Sequence, residues 1–383
     1  NRRRRSARMR VLHLFSNAKW TGPAEPALNL CVGLRARGIA ADFACSPDAG
    51  ENINKIIETA RDRGIEPITD LYLHKHRHPI KNYLDRRGLA GILRNRPYDV
   101  IHCHLDNDHG IAAGPANVAG IPLVRSSYFG LGLPEGRRHA RLLARTAFLI
   151  EPSHAALEHD LAAFQYPRER AAVVSGAVDV ARFDPARPTP DGRHRLNLPA
   201  DALVIGIVAR LQTHRHYDDL FEAMRRLVND LPRAHLIVVG RGTRQEQVGF
   251  EPVRRLGLAE HVHFAGFLDS EDYVGMLRAF DMGVFLTPGS DGACRAVREM
   301  MAMGKPVVAA RRGMLPEIVT HEEEGLIVDG APDALHDAFQ RLARRRDYRH
   351  ALGRAAREKA VERYSLEAQS DAVIAIYESL AKR

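Results

Sequence analysis

Cysteine, tryptophan and long apolar runs are all scarce in this 383-residue sequence. None of its apolar runs approaches the roughly 20 residues that span a bilayer, which argues against a membrane-spanning helix. The four cysteines (Cys31, Cys45, Cys103 and Cys294) have no paired spacing, so we expect reduced thiols in a cytoplasmic protein and no disulfide framework. Residues 1–10 lack the apolar core of a secretion signal and run directly into a strand, which also favours a cytoplasmic location.

The formal net charge is +9, which is compatible with an anionic small substrate, an anionic membrane surface or nucleic acid. The chain has no helix-turn-helix pattern, no zinc-finger spacing, no RNA-binding aromatic sheet and a single tryptophan, so nucleic acid is the least favoured partner. The arginines at positions 2–5 predict either a solvated tail or a peripheral contact with anionic lipids on the inner face of the membrane.

Short apolar runs alternate with amphipathic stretches along the whole chain, which predicts an α/β fold with doubly wound parallel sheets. In the first half, strands are predicted at 11–15, 41–45, 100–103, 122–125, 147–150 and 171–174, with helices at 25–37, 110–118 and 155–164. In the second half, strands are predicted at 203–208, 235–239, 262–264, 282–286, 307–310 and 326–328.

Prolines and polar residues between 183 and 199 interrupt this alternation and predict a domain linker. We therefore expect a first Rossmann-like domain at 1–183, a linker at 184–200 and a second Rossmann-like domain at 201–364. A final helix at 365–383, within an amphipathic stretch from about 348, is expected to pack back on the first domain. Ligands of such folds bind beyond the carboxyl ends of the strands, so a cleft between the two sheets is the expected site.

Two segments of the first half are candidates for ligand contact. The turn after the first strand carries Gly22 just before a helix, which permits close approach to a phosphate, although the three spaced glycines of dinucleotide sites are absent. The segment 101–109 places His102 and His104 on one strand face, with Asp106, Asp108 and His109 nearby. It is compatible with a metal cluster, with a sugar contact by His104, or with packing and capping, and a metal is the least favoured.

In the second half, Arg210 and Arg215 follow the strand 203–208. Guanidinium groups match phosphate geometry and stay charged at any working pH, so we expect them to bind a diphosphate. A solvated charge run is the alternative for Arg215.

The most informative segment is 286–330. It places Asp291 in a loop and Glu299 inside a helix predicted from about 293 to 303, which ends at Gly304. Glu299 is compatible with an ion pair to Arg295 four residues earlier, but acid after base is the weaker order for such a pair. A carboxylate that accepts from ribose hydroxyls is the favoured interpretation.

These motifs resemble the retaining nucleotide-sugar glycosyltransferases of the GT-B fold, family 4. The family pattern is Glu-Gly-Phe-Gly, four residues, Glu-Ala-Met-Ala, any residue, Gly, any residue, Pro-Val-Val. Here it is matched by Asp291-Gly-Ala-Cys, four residues, and Glu299-Met-Met-Ala-Met-Gly304-Lys-Pro306-Val-Val. Downstream, Pro316-Glu317 and Gly325-Leu-Ile-Val agree as well, and the resemblance extends over nearly the whole chain.

The resemblance implies roles for individual residues. Glu299 would hold the donor ribose, Arg210 and Arg215 would neutralise the diphosphate, and His104 would face the donor sugar. Asp291 and the amides of Gly292 and Ala293, next to Cys294, would also contact that sugar. The nucleotide base would rest near Gly240, Phe264 and Gly266, and Gly22 would approach the phosphate and the acceptor.

The implied activity is sugar transfer from a nucleotide-diphospho-sugar to a glycan or lipid-linked acceptor, in polysaccharide, lipopolysaccharide or glycolipid synthesis. No cofactor or metal is implied, because the arginines neutralise the leaving group. The chain departs from the family at Asp291, at Ala293-Cys294, at Arg215-His216 and around Gly22. We therefore expect an active enzyme with a shifted donor or acceptor preference. A sugar-nucleotide epimerase on the same scaffold and an inactive sugar-nucleotide-binding relative are the alternatives.

Overall fold

The structure of the protein is a computed structural model that describes residues 9–48, 50, 53–268, 270–288 and 291–381. The side chains of Asp291 and Ala293 and the basic segment 2–5 lie outside this description. The chain divides into two compact units. The first comprises residues up to Ala177 and from Leu366 onwards, and the second comprises Val178–Ser365 apart from residues 290–292.

The first unit is built on a parallel six-stranded sheet. Its strands are β1 Arg10–Phe15, β2 Ala40–Cys45, β3 Val100–Cys103, β4 Leu123–Ser126, β5 Phe148–Glu151 and β6 Ala171–Val173, in the order β2-β1-β3-β4-β5-β6. Its helices are α1 Ala24–Ala36, α2 Lys55–Asp62, α3 Pro79–Asn95, α4 Asp106–Ala119, α5 Arg137–Leu143, α6 His154–Phe164 and, from the end of the chain, α15 Leu366–Leu380.

The second unit has a parallel sheet of the same size. Its strands are β7 Leu203–Val208, β8 Ala234–Val239, β9 Val262–Gly266, β10 Met282–Phe285, β11 Val307–Ala310 and β12 Gly325–Val328, in the order β12-β11-β10-β7-β8-β9. Its helices are α7 Gly192–Arg195, α8 Tyr217–Asp230, α9 Glu251–Arg255, α10 Ser270–Ala279, α11 Asp291–Ala302, α12 Leu315–Ile318, α13 Pro332–Arg344 and α14 Arg346–Arg363.

The strands form where apolar residues run without interruption, because a parallel sheet with helices on both faces buries both sides of each strand. β7, with the sequence Leu-Val-Ile-Gly-Ile-Val, is buried except at its half-buried last residue. A side chain at Gly206 in this strand would meet the ring of Phe280 at 2.1 Å, so the helix packing requires glycine there. The predicted doubly wound α/β architecture is confirmed.

The segment 184–200 is part of the second unit and does not form the linker expected from its prolines. It contains the short helix α7, and Arg193 anchors that helix by donating to the carbonyls of Ala279 and Ala202 and to Asp281. The change between units comes earlier, between Ala177 and Val178. Proline density predicted a break in regular structure, but it did not reveal these tertiary hydrogen bonds.

Three predicted helix boundaries need correction. α4 begins at Asp106 and not near 110, because the Asp108 carboxylate accepts from the Leu105 amide and caps the helix. α11 begins at Asp291, so this residue lies in the first helical turn and not in a loop. The stretch from about 348 to 383 is two helices, broken where the Tyr364 carbonyl accepts from the Val178 amide.

The last helix, α15, belongs to the first unit. Val373, Ile376 and Tyr377 are part of the same buried cluster as Phe15 and Leu28. Within the described ranges, we find no helix with both the length and the apolar character needed to cross a membrane.

Candidate functional site

In the second unit, backbone hydrogen bonds join the loops that follow β7, β8 and β9. The Ala209 amide donates to Val239 (3.0 Å), and the Gly240 amide donates to Gly266 (2.8 Å). Gly240 has φ +143°, and a side chain on it would come within 2.3 Å of the Ala209 carbonyl. Glycine is therefore required where these loops approach one another.

Phe264 and Gly266 lie on the same edge as Gly240. The half-buried Phe264 ring packs edge-on against Phe250, with ring centres 4.6 Å apart, which fixes the backbone after β9. The structure thus brings together the three residues predicted to flank the nucleotide base. Their contact with the base stays a prediction.

Arg210 and Arg215 are at the carboxyl end of β7, next to this edge. Arg210 is exposed, and Arg215 is half-buried and donates from Nη1 to Thr287 Oγ1, beyond the end of β10 (2.9 Å). Burial, together with the nearby positive charge of Arg210, lowers the pKa of Arg215. Two guanidinium groups close enough to repel each other are an arrangement that a dianionic diphosphate would stabilise.

The backbone between Arg215 and α8 explains one departure from the family pattern. His216 stands where the family usually has glycine, and it has φ +59°, in the left-handed region that glycine adopts freely. Its Nδ1 lies 3.1 Å from Asp219 Oδ2. The position thus adopts a conformation that suits glycine, and the histidine adds a polar contact with the first turn of α8.

We expect His216→Gly to keep or raise stability by up to about 1 kcal/mol, because glycine removes the left-handed strain. His216→Ala keeps the strain and also loses the Asp219 contact, so it should be less stable than the glycine variant. Thermal unfolding of the two variants measures the difference. An alanine variant at least as stable as the glycine variant would contradict a strained backbone at this position.

Glu299 lies in α11 with only 4% of its surface exposed. Its Oε1 is 3.1 Å from Arg295 Nε, and its Oε2 accepts a hydrogen bond from the Tyr273 hydroxyl on α10. The ion pair that sequence order disfavoured is therefore formed, because Tyr273 and burial hold the carboxylate in place. The ribose contact stays a prediction, and it requires ribose hydroxyls to reach a carboxylate that already has two protein partners.

The helix that carries Glu299 begins at Asp291, so Gly292, Ala293 and Cys294 are in its first turn. The first N–H groups of a helix and its dipole favour an anion at this end. The Cys294 thiol is fully buried, 3.7 Å from the Pro288 carbonyl, so any contact of this residue with a donor falls to its backbone. The reach of the Asp291 carboxylate lies outside the described side chains.

In the first unit, β1 and β3 are neighbours, so the turn that carries Gly22 and the segment that carries His104 are at the same sheet edge. Ser16 and Asp108 connect the two segments. The Ser16 amide donates to Asp108 Oδ2 (2.8 Å), and the Asp108 amide donates back to Ser16 Oγ (3.1 Å). Burial raises the pKa of Asp108 to about 7.

His104 is fully buried in the first unit. Its Nε2 is 3.0 Å from His13 Nδ1, and its Nδ1 is 2.7 Å from the Tyr128 hydroxyl. Both ring nitrogens therefore have protein partners, and a sugar hydroxyl would have to replace one of them. The sugar contact of His104 stays a prediction. In the structure, His104 packs in the first unit and forms hydrogen bonds within it, which is close to the packing and capping role given above as the alternative.

The histidine group differs from the one that the sequence suggested. His109 faces Thr146 (2.8 Å), whereas His13 from β1 joins His102 and His104, with one ring nitrogen from each of the three within 4.8 Å of the others. Their rings are stacked, with interplanar angles of 13° between His102 and His104 and 18° between His13 and His104. Burial lowers the pKa of each ring, which keeps the three imidazoles neutral. The absence of a metal at this group stays a prediction.

Sequence reasoning missed Tyr273, Thr287, Tyr128 and His13. Each acts through a tertiary contact with a predicted residue, and none lies near its partner in the sequence. The β1 sequence signals His13 only as a polar residue in an apolar strand.

Two family models match this chain. The model described as "Glycosyl transferases group 1" matches residues 189–359, and the one described as "Glycosyltransferase Family 4" matches residues 21–182. The chain is 29% identical over 317 residues to the D-inositol 3-phosphate glycosyltransferase of Saccharomonospora viridis, covering 75% of this chain and 73% of the relative. It is also 29% identical to the GDP-mannose-dependent monoacylated alpha-(1-6)-phosphatidylinositol monomannoside mannosyltransferase of Corynebacterium glutamicum, covering 76% and 79%.

Solved structures have the same fold. A glycosyltransferase from Rickettsia africae superposes with a TM-score of 0.83 at 16% identity, covering 98% of this chain and 99% of the other. The Anabaena protein HepE in complex with UDP gives a TM-score of 0.78 at 19% identity, covering 97% and 100%.

Proposed function

Because the chain belongs to the glycosyl transferases group 1 and has their GT-B fold, we propose that it is a retaining glycosyltransferase that uses a nucleotide-diphospho-sugar donor. The observation that carries this proposal is the pair Arg210 and Arg215, beside the glycine-lined edge around Gly240 and Gly266. The pair suits a diphosphate, and the edge suits a base. The protein is an enzyme of the glycosyltransferase class, and the choice of donor and acceptor is what we propose here.

The chemistry follows from where charge develops. Departure of the nucleotide builds negative charge on the β-phosphate, and we propose that the two guanidinium groups and the first N–H groups of α11 stabilise it. We propose that these fixed positive groups make a metal ion and any further cofactor unnecessary. Retention is inferred from the family resemblance and requires attack on the same face that the nucleotide leaves.

The donor and acceptor classes are suggested by the relatives. The solved HepE structure contains UDP, and the mannosyltransferase relative is named for GDP-mannose and for a phosphatidylinositol acceptor. We propose a UDP- or GDP-sugar donor and a glycan or lipid-linked acceptor in cell-surface polysaccharide or glycolipid synthesis. The reaction would take place in the cytoplasm, with peripheral contact at the inner face of the membrane.

Incubation with UDP-, GDP- and ADP-sugars is expected to give slow hydrolysis of one donor in the absence of acceptor. Glu299→Ala should abolish this hydrolysis if the carboxylate holds the ribose, because the donor is then no longer oriented. Glu362→Ala, which removes an exposed carboxylate on α14, serves as the control and should leave hydrolysis intact.

The products separate the alternatives. Conversion of the sugar while it stays attached to the nucleotide would indicate an epimerase. Binding without turnover, with every acceptor tried, would indicate an inactive relative. Failure of every nucleotide to raise the melting temperature would overturn the proposed function.

A further inference from the structure

Helix α3 of the first unit exposes its apolar side chains and buries its polar ones over its first half. Ile80, Tyr83 and Leu84 are 68%, 55% and 43% exposed, and their spacing places them on one helix face. Asn82 and Asp85, on the opposite face, are buried. This inverts the usual arrangement, in which the apolar stripe of a surface helix faces the core.

The buried polar residues of α3 explain how the helix tolerates the inversion. The Asp85 carboxylate accepts from the amides of Tyr72 and Leu73 (2.7 and 3.1 Å). Asn82 donates to the side chain of Asn107 on α4 (2.7 Å). These contacts attach α3 to its neighbours through polar groups, so Ile80, Tyr83 and Leu84 make no contribution to the core. Single exposed apolar residues are common, but a continuous stripe marks an interaction site.

The same region carries an excess of positive charge. Residues 71–98 contain seven Lys and Arg residues and one acidic residue, the buried Asp85. Six of the seven basic residues are exposed and Lys81 is half-buried. Lys81 lies over the ring of Tyr72 (5.3 Å), and Arg87 lies over the ring of Tyr83 (5.9 Å) and donates to its hydroxyl. We call this surface the basic–apolar face; it consists of Tyr72, Lys75, Arg77, Ile80, Lys81, Tyr83, Leu84 and Arg87.

The basic–apolar face is adjacent to the carboxyl edge of the first sheet. Asn107 lies at the start of α4, directly after β3, and donates to the His74 carbonyl (2.8 Å). Arg86 of α3 donates to the Gly110 carbonyl of α4 (3.1 Å). The loop before α3 and the first turns of α3 are therefore next to the edge at which a ligand of this sheet is expected.

We propose that the basic–apolar face docks the first unit on a membrane surface rich in anionic lipid. Lys and Arg side chains bind anionic headgroups, tyrosine rings favour the headgroup level, and Ile80 and Leu84 reach the acyl boundary. Tyr72 and Tyr83 are able to stack on bases, but the exposed Ile80 and Leu84 are not, so the face as a whole fits a lipid surface better than nucleic acid. The inference deepens the proposed function, on which it rests for the acceptor, since a docked unit would meet a lipid-linked acceptor at the membrane.

Flotation of the full chain with vesicles tests the proposal. We expect binding to vesicles of phosphatidylcholine plus phosphatidylglycerol, weak binding to phosphatidylcholine alone, and a loss of binding as salt is raised. The triple variant Lys75→Ser, Arg77→Ser, Arg87→Ser should lower the partition coefficient by roughly 100-fold, about fivefold or more for each charge removed. The triple variant Ile80→Ser, Tyr83→Ser, Leu84→Ser should lower it by at least about tenfold.

Matched controls remove equal charge or exposed apolar groups elsewhere. Two triple variants should bind vesicles like the unchanged chain. The control for charge is Arg255→Ser, Arg344→Ser, Arg354→Ser, and the control for exposed apolar groups is Val118→Ser, Phe267→Ser, Val361→Ser. All variants should keep their melting temperature and their donor hydrolysis in solution. Binding to vesicles without hydrolysis of any nucleotide sugar would reject the proposed function and leave the docking surface standing.

Three results would overturn the docking surface. The first is equal binding to neutral and anionic vesicles, and the second is loss of binding on deletion of residues 2–5 while both face variants bind normally. The third is absence of vesicle binding together with RNA binding that requires the same face residues.

Discussion

Replacement of Arg215 by methionine is expected to lower kcat/KM for sugar transfer by about 10²- to 10³-fold, the usual cost of losing one donor aimed at developing charge. The loss should appear mainly in kcat, because the charge on the β-phosphate grows as the bond to the sugar breaks. Methionine fills a similar volume in the half-buried position. Burial lowers the pKa of Arg215, so removal of its charge should leave the melting temperature unchanged or higher.

Two further variants separate charge from position. Arg215→Lys keeps the charge and matches the residue that the family usually has, so it should retain most of the activity. Thr287→Val keeps Arg215 but removes the hydroxyl that accepts from its Nη1, and it should cost about two- to tenfold, as expected for one hydrogen bond. If methionine and lysine reduce kcat equally, Arg215 acts through geometry and not through its charge, and the assigned role is wrong.

Acidification from about pH 7 to about pH 5 is expected to destabilise the first unit strongly. Burial lowers the pKa of His13 from 6.5 to about 3, and it also lowers the pKa of His102, His104 and His109. These rings stay neutral in the fold but take up protons below pH 6.5 when the chain unfolds. Their contribution to stability is therefore complete above that pH, and each loses up to about 1.4 kcal/mol per pH unit below it.

Buried carboxyl groups oppose this effect in part. Burial raises the pKa of Asp108 to about 7 and that of Glu151 well above its ordinary value, so both groups bind protons more readily in the folded state. Their contribution to stability grows as the pH falls below those raised values. Burial also raises the pKa of Asp85. Four imidazoles outnumber these three carboxyl groups, so the free energy of unfolding should decrease as the pH falls.

The single tryptophan, Trp20, packs against the core of the first unit and reports its unfolding in urea by fluorescence. Between about pH 6 and about pH 4, His13→Gln should lower the slope of the free energy of unfolding against pH. The decrease should be up to about 1.4 kcal/mol per pH unit, which corresponds to one proton. His76→Gln, at an exposed position, should leave it unchanged. Equal pH dependence in the unchanged chain and in His13→Gln would show that the buried ring is not the source.

The fold followed from the sequence because its evidence is local. Apolar runs such as 203–208 and 307–310 agree with the strands residue by residue, since a strand buried on both faces is mostly apolar. Helix starts were less predictable, as α4 and α11 show. A capping side chain such as Asp108 determines the first turn through a hydrogen bond that periodicity does not record.

The candidate site was predictable only in part. Arg210 was identified because it follows the strand 203–208, and parallel strands end at one edge of the sheet. Gly240 and Gly266 were identified from the family resemblance. The environments of His104 and Glu299 were not predictable. Whether a ring nitrogen or a carboxylate oxygen faces solvent depends on Tyr128, His13 and Tyr273, which approach from distant parts of the chain.

The sequence by itself therefore determined the α/β architecture, the family and the positions of the charged residues, because periodicity and motif spacing are properties of neighbouring residues. The tertiary structure decided which of those residues are buried and with what partners. It buried His13, His102, His104 and His109 in the first unit, gave Glu299 two protein partners and turned the apolar face of α3 outward. The burial of a side chain and its hydrogen-bond partners depend on packing between segments that are far apart in the chain. They determine whether that side chain is charged and whether a ligand can reach it.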